Sequence, residues 1–211
     1  MNLSSKTAVA GILAVSTVFG VAAQESAMES LTLLGTALQS SRAWQADYSQ
    51  EYIAAGMDFG EEESGRVIAA WPDRALFRTG EPVRQLMGLS GRLVRLVDFE
   101  VRSCDQHQLS DDEWARIPLA AILDPGVAIE HFSVLDHGEH GFALAPREQG
   151  GVQRVEVTLG SDDLPIEVVV IDPQGAINRL RFAKWQPSDP PAEDQWLPDA
   201  PKGVECVTDN E

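Results

Sequence analysis

The stretch that most constrains this chain is Leu164 to Gln186, LPIEVVVIDPQGAINRLRFAKWQ, which reads as two β-strands joined by a tight turn. Ile166 to Ile171 is rich in β-branched residues, which suit a pleated, half-buried surface. Asp172-Pro173-Gln174-Gly175 puts Pro and Gly where a reversal needs them, and Leu180 and Phe182 share a face of the returning arm. An isolated hairpin is marginal in water, so this one demands further strands. After a Pro-rich segment, Pro201-Lys202-Gly203-Val204-Glu205-Cys206-Val207 reads as a short terminal strand that is stable only when docked on an existing sheet.

The beginning of the chain reads differently. Lys6 supplies a positive n-region, Ala8 to Val21 an apolar run, and Val21-Ala22-Ala23 a small-residue cleavage site, so residues 1–23 are expected to be a signal peptide cut before Gln24. The apolar run is short for a bilayer span and no later run is longer, which predicts a secreted, soluble protein. No Cys stands directly after the cleavage site, which speaks against a lipid-modified N-terminus. The remainder, 24–211, has the length of a single domain with a substantial core. The formal charge of -17 argues against nucleic acid or anionic membrane surfaces as electrostatic partners. Cys104 and Cys206 both lie in the mature chain. In an oxidising compartment a structural disulfide is their simplest use, two free thiols or a redox pair being the alternatives; there is no C-x-x-C.

Along the mature chain, Leu31, Leu34 and Leu38 at helical spacing predict an amphipathic helix over Ala27 to Gln39. Short strands follow at Asp47 to Met57, Arg66 to Trp71, Arg74 to Arg78, Val83 to Leu89 and Arg92 to Arg102, with an acidic turn at Asp58 to Gly65. In the last of these strands Leu93, Val97, Phe99 and Val101 are placed on the buried face, although Val94 and Leu96 blur the alternation. Ser110-Asp111-Asp112-Glu113 is a capping box that predicts a helix to about Ile117, and a second short helix covers Leu119 to Leu123 after Pro118. Strands resume at Ile129 to Asp136, Gly141 to Ala145 and Val152 to Leu159, before the hairpin. The resulting fold class is mainly β with α, about eleven strand candidates in antiparallel order with an N-terminal helix and one helical insertion. A strongly bent sheet of that size can enclose an apolar cavity.

This order of elements resembles the periplasmic outer-membrane lipoprotein carrier family, the LolA-like fold, over nearly the whole mature chain. The matching pieces are the helix leading to a long first strand, the strand-Pro-strand passage Gly65 to Phe77, the Ser90-Gly91-Arg92 turn, the Pro118 to Leu123 helix, and the closing hairpin followed by Pro201-x-Gly203-Val204. The resemblance implies an apolar interior that receives the acyl chains of a lipoprotein, an inner-membrane transporter that releases the cargo, and an outer-membrane acceptor. It also implies the architecture, a half-open antiparallel β-barrel of about eleven strands covered by an N-terminal helix and a short helical lid, here Leu119, Ile122 and Leu123. Trp71 stands where the family carries an Arg thought to hold the lid shut, and Arg95 and Val97 stand where aromatic residues are usual.

The expected function is therefore periplasmic shuttling of acylated cargo by a monomer, with a lipid- or lipoprotein-sensing regulatory module as the alternative. Candidate lining residues are Phe77, Met87, Leu93, Val97, Phe99, Phe132, Val134, Val155, Val157, Val168, Val170, Leu180 and Phe182. No P-loop or dinucleotide fingerprint is present, so no cofactor is expected. Asp136-His137-Gly138-Glu139-His140, with His131 nearby, matches no zinc spacing and reads as a turn. Gly88-Leu89-Ser90-Gly91 falls short of a nucleophile elbow, and an enzyme is not expected. Trp196 lies in the Pro-rich segment, where it is expected to grip the barrel from outside or meet a partner, with little effect on folding when removed.

Overall fold

The structure, a computed structural model, describes residues 16–209. Helix α1 (Ser16–Gln39) leads into β1 (Ala43–Ile53), β2 (Glu61–Ala70), β3 (Arg74–Thr79), β4 (Gln85–Ser90), β5 (Leu93–Asp98) and β6 (Ser103–Gln108). Three short helices follow, α2 (Asp111–Arg116), α3 (Pro118–Leu123) and α4 (Pro125–His131). The chain then forms β7 (Phe132–Asp136), β8 (Gly141–Pro146), β9 (Arg154–Leu159), β10 (Pro165–Ile171), β11 (Ile177–Ser188) and, after a short 3-10 turn, β12 (Val207–Asp209).

All twelve strands form one sheet in the order β12-β6-β5-β4-β3-β2-β1-β11-β10-β9-β8-β7. Every pairing is antiparallel except β12 on β6. Among the described residues the two edge strands, β12 and β7, do not pair, so the barrel is open. The pairing of β1 with β11 joins the two halves of the chain, and it places the hairpin β10–β11 in the middle of the sheet.

Helix α1 lies over one half of the concave face. Ala27, Leu31, Leu34 and Leu38, all but fully buried, pack on Phe132, Val134, Phe142, Leu144, Val155, Val157 and Val168. Gly35 permits a close approach, since a Cβ there would fall 2.6 Å from Pro125 Cγ at the start of α4. The other half is covered by the three short helices, where Trp114, Ala120 and Leu123 pack on Ala46, Val67, Ala69, Ala75, Phe77 and Leu89.

The departures from the sequence reading have local causes. Helix α1 begins at Ser16, ahead of the expected start at Ala27 and of the expected cleavage point; residues 1–15 of the signal-peptide reading lie outside the described residues. Strand β2 starts at Glu61, so the acidic residues 61–63 belong to a strand paired with β1 rather than to a turn. The expected long strand to Arg102 breaks after Asp98, whose Oδ1 accepts from the backbone N–H groups of Glu100 and Val101, and Arg102 has φ 58°. The chain then returns as β6, which brings the strand count to twelve. Its sequence SCDQHQ carries no apolar alternation, and its place is secured by β5 on one side and β12 on the other. Ile129 to His131, expected as strand, ends helix α4; Asp124 Oδ1 caps that helix by accepting from Gly126 N, with Pro125 at the first position. The terminal strand is confined to Val207–Asp209.

The C-terminal segment crosses the convex face as a strap. Trp196 is completely buried there against Ala43, Ala70 and Leu76, which point outward from β1, β2 and β3. Further on, Arg95 donates Nη1 to the Pro198 carbonyl and Nε and Nη2 to Gln106 Oε1, and Arg102 donates to the Lys202 carbonyl. Cys104 and Cys206 then form a disulfide with a Cα separation of 4.5 Å, at the point where β12 joins β6. Trp196 thus does grip the barrel from outside, but as core rather than as a free surface group, so the expectation that it is dispensable for folding does not hold.

Candidate lipid-binding cavity

Between the sheet and α3 lies a cavity of about 500 Å³. Its apolar floor comes from the inward rows of β2, β3 and β4, with Val67, Ala69, Ala75, Phe77 and Met87. Ile117, Pro118, Leu119, Ile122 and Leu123 form the roof. The far wall is Val168, Val170, Leu180, Phe182 and Trp185 of β10 and β11. The volume falls within the range of roughly 300–1,000 Å³ usual for small-molecule sites.

A bulge shapes the wall. The register of β1 against β11 slips between Gln45 and Asp47, and Lys184 sits at φ 58°. The extra residue lets Phe182 and Trp185, three apart, both face inward, where a regular strand would have turned Trp185 away. Their rings lie 5.5 Å apart, and Trp185 Nε1 donates to the Pro165 carbonyl at 2.7 Å, which satisfies the indole. On the outer side of the bulge Lys184 donates to Asp47 at 2.7 Å and, with Arg66, holds that carboxyl below its ordinary range.

Polar side chains gather at one end. Gln50, Glu63, Thr79, Gln85 and Asn178 all line the cavity towards the β1–β2 hairpin. Tyr48 and Thr79 share a 2.6 Å hydrogen bond in the wall, and burial pushes the Tyr48 phenol up. Ala75 at the deep end is fully buried, whereas the Glu63 side chain is 40% exposed. The cavity therefore runs from a dry end beneath α3 to a wet mouth beside Glu63.

Of the residues singled out in the sequence, Phe77, Met87, Val168, Val170, Leu180 and Phe182 lie on the cavity wall, and Leu119, Ile122 and Leu123 lie in the roof. The others do not reach it. Phe132, Val134, Val155 and Val157 point to the concave side, but α1 fills that half and makes them core. Val97 faces the convex side: it pairs with Leu86 and Cys104 and is buried beneath the strap region, while Leu96, one residue earlier, enters the cavity. Leu93 points the same way as Val97, and Phe99 is a 40% exposed turn residue. Shifting the inward set by one residue moves every side chain of a strand to the other face, which is what happened in β5. The polar lining residues, and Trp185, were not recognised as site residues from sequence.

The helices over this half of the sheet are held without a contribution from position 71. Trp71 is an exposed residue of the β2–β3 turn. Helix α2 is instead tied to the sheet edge by Arg92, which lies 4.4 Å over the Trp114 ring and 3.4 Å from Asp111, and by His107 Nε2 at 2.9 Å from Glu113 Oε1. Glu113 also closes the capping box: it accepts from Ser110 N and Oγ, and Ser110 Oγ accepts from Glu113 N. The Ser110 backbone N–H, followed by the Ser110 hydroxyl and His107, lowers the Glu113 carboxyl to about 2. Each exposed pair contributes little by itself, so the buried Trp114, Ala120 and Leu123 carry most of the closure.

Asp136 ends β7 and His137 to His140 form the β7–β8 connection, with Gly138 at φ 83°. Among the described residues no group of three or more His, Cys, Asp or Glu side chains is placed to hold a metal ion.

An open antiparallel barrel with a helical roof over an apolar cavity is a ligand-enclosing class of fold. The family description "Outer membrane lipoprotein carrier protein LolA" matches residues 39–196, and the chain belongs to that family. Among solved structures, an uncharacterised conserved protein from Thermus thermophilus matches at 18% identity and TM-score 0.51, covering 87% of this chain and 99% of that one. A LolA superfamily protein from Nitrosomonas europaea matches at 11% identity and TM-score 0.44, covering 85% and 97%. The MucA/MucB complex of Pseudomonas aeruginosa matches at 17% identity and TM-score 0.44, covering 82% and 61%. No curated protein matches the chain.

Proposed function

We propose that this chain is a periplasmic carrier which receives acyl chains of a lipoprotein, or of another lipid, in the cavity under α3 and takes them from the inner to the outer membrane. The observation that carries the reading is the roofed apolar cavity of about 500 Å³ on a LolA-family fold. Each buried methylene contributes about 0.8 kcal/mol, so an acyl chain does not cross water unaccompanied, and a dry pocket lets it move in small steps. The carrier needs no cofactor and no covalent chemistry for this; energy input falls to an inner-membrane transporter, and an outer-membrane acceptor takes the cargo. Residues 1–23 serve as the signal peptide, and 24–211 work as one carrier domain.

Native mass spectrometry of protein purified gently from periplasm, followed by organic extraction, tests the reading. A mature chain starting at Gln24 with an acylated species bound is expected. An empty protein that also fails to take up a fluorescent acyl probe overturns it. A lasting complex with a single membrane protein, in place of cargo exchange, marks a sensor instead.

A further inference from the structure

The wet mouth of the cavity carries an excess of negative charge and of hydrogen-bond acceptors. Glu63 lines the cavity and accepts from Arg84 Nη2 at 3.1 Å, while Arg84 Nη1 lies 3.8 Å from Glu100. Asp98, opposite Gln85 in the β4–β5 ladder, accepts from Gln85 Nε2 at 2.8 Å. Two carboxylates thus share the Arg84 guanidinium, and Asp98, bound to Gln85, adds a third negative charge beside them. The hydrogen bonds from Gln85 and from the Val101 and Glu100 N–H groups keep Asp98 ionised to low pH. Because the Gln85 amide N–H₂ is turned to Asp98, its carbonyl remains to accept from a ligand. Among the described residues, Glu63 is the only charged side chain of the cavity wall itself.

These groups sit where the polar end of an amphiphile must rest. A chain with its methyl end against Ala75 and Phe77 leaves its head level with Gln50, Glu63 and Gln85, since these occupy the next inward rows of β1, β2 and β4. We propose that the cavity selects amphiphiles whose head donates hydrogen bonds and bears no net negative charge, an amine or a neutral hydroxyl or amide head, and rejects carboxylate- and phosphate-terminated ones. The inference rests on the carrier reading above and names the cargo chemistry at the same site. Electrostatic discrimination of this kind works through unfavourable placement of the wrong charge as much as through attraction of the right one.

The test is displacement of a neutral fluorescent acyl probe from the mature protein at neutral pH and low salt by dodecylamine and by laurate, which share a chain length and differ in head charge. Dodecylamine is expected to displace the probe at about fivefold lower concentration, the scale of a partly exposed ion pair. E63Q narrows that ratio and E63K inverts it, and melting curves of both variants confirm that the fold is intact. Laurate displacing as readily as dodecylamine, or a ratio unmoved in both variants, overturns the selection while leaving the carrier reading in place. A protein that takes up no acyl probe at all sinks the carrier reading, and the selection with it.

Discussion

Gly88 lies directly beneath the backbone of Trp196: a Cβ on Gly88 would overlap the Trp196 carbonyl oxygen and press on the Pro198 ring. The strap therefore runs in contact with the convex face of β4, and Gly88 is the residue that lets it do so. Trp196 fills the space between Ala43, Ala70 and Leu76, three outward side chains too small to cover themselves. Trp196→Ala should destabilise by about 3 kcal/mol, the lower end for a large aromatic because a surface strap can settle into the gap. For a chain of this size that is a fall of roughly 6–12 °C in Tm. Gly88→Ala should show a comparable fall, because the obstacle is backbone and not a movable side chain. Thermal melts followed by circular dichroism decide this; a Tm within a degree of wild type for both variants would mean that the strap is not part of the core.

The disulfide closes a sequence separation of 102 residues and holds the end of the strap where β12 meets β6. Without it, β12 is three residues long and pairs with a polar edge strand, too little to persist. Replacing both cysteines by serine should lower stability by about 2–4 kcal/mol. Amide exchange should become fast in residues 199–209 and faster in β6, and remain slow in β9 and β10. Loss of protection across the whole sheet would show instead that the staple is needed for the global fold.

Much of this architecture was legible because local chemistry and tertiary role agree. The hairpin β10–β11, the Ser110 capping box and the leucine stripe of α1 each have one structural use, and each is found in that use. The cavity was legible only in part, and for physical reasons. A strand flanked by apolar residues on both faces, as Leu93 to Val97 is, gives no parity, because in β5 the strap buries the outward side as well. The bulge that turns Trp185 inward depends on a register slip between strands far apart in sequence. Strand β6 is polar and is held by its neighbours. The polar mouth is invisible to a search for apolar faces, since Gln50, Glu63 and Gln85 look like solvent-facing residues until the roof is placed over them.

The hydrogen bonds that Glu113 accepts from the Ser110 backbone N–H, the Ser110 hydroxyl and His107 make the seating of α2 sensitive to acid. A carboxylate lowered to about 2 in the folded protein and ordinary when unfolded contributes stability that is fully present above about pH 4.5 and is lost as pH falls towards 2. Asp47 and Asp98, also lowered, likewise lose stabilising charge as pH falls, so only the difference between wild type and Glu113→Gln isolates this group. Gln retains the capping geometry but not the charge. Amide exchange in residues 111–123 should quicken in wild type between about pH 4.5 and 2 more steeply than in Glu113→Gln. Parallel pH profiles for the two proteins would remove Glu113 from the seating of α2.

Filling the cavity should separate binding from folding. Leu180 sits in the middle of the wall, opposite Val168 on one side and Gln50 on the other, and its partly buried side chain points into open space. Leu180→Trp can grow into that space without displacing packed neighbours, so the cost usual for overpacking, about 1–3 kcal/mol, should be reduced or absent. Uptake of an acyl probe should fall at least tenfold, because the new indole occupies the volume the chain would take. The matching substitution in the other half, Val155→Trp, has no space to enter beneath α1 and should lower Tm sharply. Probe titration of Leu180→Trp against its melting curve is the deciding comparison: retained stability with lost uptake places the acyl site under α3, and undiminished uptake by a folded Leu180→Trp would move it elsewhere.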